Sequence, residues 1–183
     1  MGSDDSTPDV REQLVRGGMS LVAEEGPADL SVRRLAKAAD RTTMCIYTKF
    51  GNRGGLIGAI YERAAQELLD ALDAAPPGFP ALATAYRRHV DAAPGAYALL
   101  FEQPLESVDL DRSVRSDLIA AVVHRIAERL DLADAGHRDL AARTLWSTMH
   151  GLTTLRGSDA WEPASFDAAV AATLAGFTAS RAG

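Results

Sequence analysis

The residues able to do chemistry gather in one short window. Between Ser31 and Arg53 lie Arg33, Arg34, Lys37, Arg41, Lys49 and Arg53 against a single acid, Asp40, a net of +5. Thr42, Thr43, Met44, Tyr47 and Thr48 are interleaved with them. Cations neutralise phosphate, hydroxyls hydrogen-bond base edges, and a thioether can touch a thymine methyl. The rest of the chain runs the other way. Residues 54–183 carry 11 basic and 17 acidic side chains, and the whole chain has a net charge of −6. A basic island in an acidic chain predicts that one end meets a polyanion. A merely solvated charged face is the other reading that charge alone allows. No nucleophile with its base, paired carboxylates, phosphate loop or metal-ligand spacing stands out, so no catalytic residue, metal site or cofactor is expected. The four histidines are scattered, without the spacing of ligands.

The elements that must hold this window are helical. Hydrophobic residues are 47% of the chain and aromatics 6%, a balance that favours helices over sheet. Leu14, Gly18, Leu21 and Val22 recur at helical spacing and predict a first helix over about 9–25. Gly26-Pro27 ends it. Ser31 is placed to cap a short second helix, in which Val32, Leu35, Ala36 and Ala39 repeat. Ala39-Asp40-Arg41 reads as a tight turn, since Asp tolerates a left-handed backbone. Thr42 or Thr43 can cap a third helix reaching Lys49, with Ile46 and Phe50 facing inward. A long fourth helix, 53–74, follows Gly51-Asn52 and joins this head (9–54) to a body (78–181). Ala75-Pro-Pro-Gly78 is the clearest boundary. The body shows only helical patterns: about 79–92, 95–102, Leu110 to Leu130, 136–156, and a last segment through Phe166, Val170, Leu174 and Phe177. The expected fold is all-α with about nine helices.

A short helix, a turn of about three to four residues and a second short helix form a helix-turn-helix. A first helix packed behind them would hold the next one outward, into a major groove about 12 Å wide. Leu14 through Leu56 resembles the DNA-binding domain of the TetR family. The residues that carry the likeness are Gly26, then Ser31-Val32-Arg33-Arg34-Leu35-Ala36-Lys37-Ala38-Ala39, then Ile46-Tyr47-Thr48-Lys49-Phe50-Gly51-Asn52-Arg53-Gly54-Gly55-Leu56. Four positions depart from the family pattern. Asp40 stands for the usual Gly, Arg41 for a buried Val, Arg53 for Lys and Gly54 for an acid. Arg41 bears on the packing of the turn, because an unpaired buried guanidinium is costly.

Site residues follow from chemistry and from this likeness. Thr42, Thr43, Met44 and Thr48 are candidates for base edges. The resemblance also implies phosphate contacts at Tyr47 and Lys49. Ser31 and Arg33, at the start of the second helix, and Arg53, at the start of the fourth, face the partial positive charge of helix N-termini, which draws phosphate. Ser31 reads equally as a plain cap, and Tyr47 as a core ring with an outward hydroxyl. Cys45 reads as an inert, half-buried thiol rather than a redox switch.

The body resembles TetR C-terminal domains with a Trp-x-x-x-His-Gly signature, here Trp146 to Gly151. Trp146 and His150 share a helix face. With Tyr86, His89, Tyr97, Phe101 and Met149 they could line a mostly apolar pocket for a small-molecule effector, or build an aromatic core. The resemblance implies a homodimer sealed by the last two long helices and bound to a pseudo-palindromic operator in double-stranded DNA. It implies a regulator, acting as a repressor that a small, apolar ligand releases. The alternative is a helical ligand-binding or scaffold protein without DNA-binding activity. No run of apolar residues is long enough for a membrane span, the N-terminus lacks the pattern of a signal peptide, and the lone Cys45 forms no internal disulfide. These features point to the cytoplasm.

Overall fold

The computed structural model describes residues 9–155 and 164–179. Nine α-helices run through the described residues, and no strand is among them. They are α1 (Val10–Glu25), α2 (Val32–Ala38), α3 (Thr43–Phe50), α4 (Arg53–Asp73), α5 (Phe79–Ala92), α6 (Pro94–Tyr97), α7 (Ser113–Glu128), α8 (Ala135–Thr154) and α9 (Ala164–Ala179). A π-turn, Ala98–Glu102, continues α6, and a 3₁₀ turn, Leu105–Val108, precedes α7. No described helix is long and apolar enough to cross a membrane.

The chain packs as two compact units. One runs to Glu67 and adds Ala93–Arg115; the other takes Leu68–Ala92 and the chain from Ser116. The head and body expected from sequence therefore exchange a segment: Ala93–Arg115 belongs with the head's unit.

In the first unit α1 starts where the Asp9 carboxylate accepts the backbone N–H of Arg11. It buries Leu14, Val15, Leu21 and Val22. Gly17 is obligatory there, because a Cβ would lie 2.7 Å from the backbone of Ala39. That contact lets α1 meet the turn after α2. Asp40 makes the turn at φ 52°, and the Arg41 N–H closes it onto the carbonyl of Ala36 at 2.9 Å. The Arg41 guanidinium does not lie buried and unpaired. Its Nε donates to Gln13 Oε1 at 2.8 Å and its Nη1 to the Asp40 carbonyl at 3.0 Å. Leu30, Leu35, Ile46, Leu56, Ile57 and Ile60 fill the core beneath.

In the second unit Leu82, Tyr86, Val122, Ile126, Leu145, Trp146, Met149, Phe166 and Val170 are buried. The helix expected from Leu110 to Leu130 is shorter at both ends. Asp109 adopts the left-handed conformation at φ 60°, and the Asp111 carboxylate takes the Ser113 N–H at 2.7 Å. Those two residues delay the first turn of α7 to Ser113. Asp134 caps α8 by accepting the His137 N–H. The His137 ring lies 3.0 Å from the Phe177 carbonyl and edge-on to the Phe177 ring, pinning α9. At the end of α4, Arg129 donates to the carbonyls of Ala75 and Pro76. Its Nη2 also reaches the Leu72 carbonyl, in the last turn of α4, at 3.4 Å, one of the groups that the helix leaves open.

Candidate nucleic-acid interface

α3 is held by one fully buried side chain, Ile46. Phe50 and Cys45 are half-buried; Thr42, Thr43, Met44, Tyr47, Thr48 and Lys49 are exposed. Met44 is 68% exposed and Tyr47 50%, so α3 holds two of the four large hydrophobic side chains that are exposed among the described residues. The helix is stopped sharply by Gly51 at φ 78°, whose N–H closes on the Tyr47 carbonyl. Thr42 occupies the cap position, but its hydroxyl bonds no helix N–H and lies 3.5 Å from Cys45 Sγ. That contact, with the nearby charges of Arg41 and Lys49, holds the Cys45 thiol below its ordinary pKa. Thr48 turns its hydroxyl hydrogen onto the Met44 carbonyl at 2.9 Å, leaving its lone pairs outward. Ser31 sits at the cap of α2 and makes no capping bond.

The cations of this unit divide by partner. Arg34 is paired with Asp29 at 2.9 Å and with Glu25. Arg63 grips both oxygens of Glu12, which Arg16 also approaches. Arg53, expected to meet phosphate, is committed within its own unit: its Nη1 lies 2.6 Å from Asp109 Oδ2, its Nε donates to the Leu30 carbonyl at 2.8 Å, and its Nη2 to the Ser107 carbonyl. Gly54 makes that approach possible, since a Cβ there would stand 2.9 Å from the Asp109 carbonyl oxygen. Arg33, Lys37 and Lys49 are exposed and have no ion pair among the described residues. The structure thus brings Thr42, Thr43, Met44, Tyr47, Thr48 and Lys49 onto one short helix, leaves Arg33 free at the start of α2, and engages Arg53 elsewhere.

One cation outside the sequence window joins this surface. The Arg11 guanidinium lies over the Phe50 ring, 4.9 Å from its centroid. The two residues are far apart in sequence, and no local pattern pairs them.

The seven residues expected to line an effector pocket fall in both units. Tyr97 and Phe101 belong to the first, with ring centroids 5.1 Å apart. Tyr86, His89, Trp146, Met149 and His150 belong to the second. Tyr86 meets Trp146 edge-on at 5.7 Å, and Trp146 stacks on His150 at 5.3 Å. Tyr86, Trp146 and Met149 are buried, while His89 and His150 are half-buried. Between α5 and α9 the second unit also holds an apolar groove of about 320 Å³, lined by Phe79, Ala83, Val170 and Leu174 with Thr84 and Asp167 among its polar edges. None of the seven lines it. Val170 and Leu174, four residues apart in the apolar pattern of the last helix, are the residues of this groove that the sequence singles out. No cluster of His, Cys, Asp and Glu suited to a metal ion is present among the described residues.

The architecture is shared with solved structures. A TetR-family transcriptional regulator from Streptomyces coelicolor superposes with a TM-score of 0.70 at 19% identity, covering 92% of this chain and 81% of that one. A TetR-like transcriptional regulator from Rhodococcus sp. RHA1 gives 0.67 at 18% identity, over 95% and 96%. NalD of Pseudomonas aeruginosa, the secondary repressor of the MexAB-OprM multidrug efflux pump, gives 0.51 at 14% identity, over 92% and 94%. Such identities speak for a common fold. No curated protein matches this chain in sequence. Residues 79–177, more than half of the chain, match the sequence model of the tetracyclin repressor-like C-terminal domain. The chain therefore belongs to the TetR family, a family of transcriptional regulators and not of enzymes.

Proposed function

We propose that this protein is a DNA-binding repressor that a small, largely apolar effector releases from its operator. The observation that carries the DNA-binding half is the exposure of α3. An eight-residue helix with Ile46 as its one fully buried side chain, together with its cap Thr42, presents Thr42, Thr43, Met44 and Thr48 outward, a pattern suited to base edges in a major groove. Tyr47, Lys49 and Arg33 flank it as phosphate contacts, with the Ser31 hydroxyl beside Arg33. Arg53 serves as a positioning residue that fixes the start of α4. The pairing of Arg41 with Gln13 removes the packing objection to this reading.

The regulator acts as a homodimer in this proposal. α9 exposes Ala168 and Ala172, and α8 exposes Leu140, small and apolar side chains outside the α5–α9 groove that a second copy would cover. Two-fold symmetry would set the recognition helices in major grooves about 34 Å apart, or a multiple of that, on a pseudo-palindrome in double-stranded DNA. Chromosomal DNA as partner assigns the protein to the cytoplasm. The effector is received by the body, where the α5–α9 groove offers an apolar space of the size small ligands occupy, and where the packed set of Tyr86, Trp146 and His150 would have to part to admit a ligand. It weakens DNA binding by as much as it prefers the conformation with misplaced heads.

The first test is retention on duplex DNA across a salt series. Retention that falls steeply with salt is expected, and its absence would remove the DNA-binding reading. Selecting bound sequences from random duplexes then yields the operator. Titrating the operator complex with a panel of apolar small molecules tests release; an operator affinity indifferent to the whole panel would sink the effector half.

A further inference from the structure

We propose that Arg11, laid on the Phe50 ring, is a backbone-phosphate contact that flanks the recognition helix. The inference rests on the DNA-binding reading and adds to it a residue from α1, outside the helix-turn-helix.

Three observations converge on Arg11. Its guanidinium lies 4.9 Å from the Phe50 centroid, on the last residue of α3. Phe50 follows Tyr47 by three residues on α3 and lines a groove together with it, so the ring that Arg11 covers belongs to the helix that carries Tyr47. And Arg11 is exposed, its guanidinium in no ion pair among the described residues. The two neighbouring acids are engaged elsewhere: Asp9 accepts the Arg11 backbone N–H at 3.1 Å, and Glu12 is gripped by Arg63 at 2.9 Å.

This sets Arg11 apart from the other arginines of α1 and α4. Arg16, Arg53 and Arg63 would each have to leave a carboxylate before meeting phosphate. Arg11 leaves nothing. An aromatic face attracts a guanidinium without using its N–H donors, which project from the edge of the plane. The ring therefore holds the fork in place while leaving the donors free for two phosphate oxygens. Holding the side chain before DNA arrives lowers the ordering cost on binding.

The experiment uses the full chain and a fluorescent duplex of mixed sequence, since a phosphate contact does not depend on base order. Binding of native protein, R11Q and R11K is measured across salt concentrations. The expected result for R11Q is a log–log salt slope smaller by about 0.9, a roughly 3-fold smaller loss of affinity between 50 and 200 mM salt. The weakening should be equal on any other duplex. R11K should restore the slope, because it keeps the charge. An R11Q slope equal to that of the native protein, with native binding intact, would overturn the role of Arg11 and leave the DNA-binding reading standing. A native chain that shows no salt-dependent binding would overturn both. Equal melting temperatures for the three proteins, expected for an exposed side chain, separate the effect from misfolding.

Discussion

The Asp109 carboxylate lies 2.6 Å from the guanidinium of Arg53, joining the loop before α7 to the first residue of α4. The pair brings with it the Leu30 and Ser107 carbonyls, both bound to the same guanidinium. Arg53 thus gathers the approach to α2, the start of α4 and the 3₁₀ turn into one cluster. Removing Arg53 orphans three acceptors, whereas removing Asp109 breaks one half-exposed pair. R53A should cost about 1–2 kcal/mol of folding stability, and D109A less than about 1 kcal/mol. A double-mutant cycle read by urea unfolding checks this; a D109A loss equal to or above that of R53A would contradict it.

Gly17 and Gly58 should respond to alanine in opposite directions. Helix propensity favours Ala over Gly by up to about 1 kcal/mol in both helices. At Gly17 the new methyl would meet the backbone of Ala38 and Ala39 at 2.7–2.8 Å, and backbone cannot step aside as a side-chain tip can. G17A should therefore lose about 1–3 kcal/mol. At Gly58 the nearest atom is the Leu110 side chain at 3.7 Å, an ordinary contact. G58A should be neutral or gain stability. Thermal melts of the two variants decide the matter, and a stable G17A would disprove the close approach of α1 to the turn.

Met44 should matter for sequence choice and not for charge. Its side chain is two-thirds exposed, so M44A should leave stability within about 0.5 kcal/mol. If Met44 touches a base methyl, M44A should narrow the gap between the selected operator and a scrambled duplex while the salt slope stays the same. Competition binding with both duplexes measures this. A uniform loss on both, with a smaller slope, would reassign Met44 to general contact.

The Asp73–Arg125 pair sets a small acid-side dependence. Its two bonds, at 2.7 and 2.8 Å, hold the Asp73 carboxyl below its ordinary range, chiefly through hydrogen bonding from the guanidinium. A depressed folded-state value stabilises the protein above the unfolded pKa, near 4, and that stability is lost as pH falls through the lowered value. Asp73 is half-exposed, so solvent screens the pair to roughly a few tenths of a kcal/mol. The stability difference between native protein and D73N should be constant from pH 7 to about pH 5 and shrink below about pH 4. Urea midpoints across that range test it; a difference that grows on acidification would reverse the assignment.

Much of the architecture is legible in the sequence. Apolar spacing places every long helix, because a surface helix must bury one stripe and leave the other wet. Local chemistry places the breaks as well: Asp40 turns left-handed as its residue type allows, and of Ile46 and Phe50, both expected to face inward, Ile46 is buried and Phe50 half-buried, which leaves the rest of α3 outward. The start of α7 departs from the apolar rhythm, because Leu110 continues that rhythm while Asp109 and Asp111 interrupt the backbone beneath it.

What only the tertiary structure decided is which charges are available. Arg33 and Arg34 are neighbours of one residue type, yet the first is free and the second is held by Asp29 and Glu25. Arg53 is claimed by an acid 56 positions away, and Arg11 meets an aromatic ring near the opposite end of the unit's first three helices. Helical periodicity is a short-range property, set by which face of a segment is apolar. Ion pairs and ring contacts depend on which distant surfaces packing brings within about 4–6 Å, and no spacing along the chain encodes that directly.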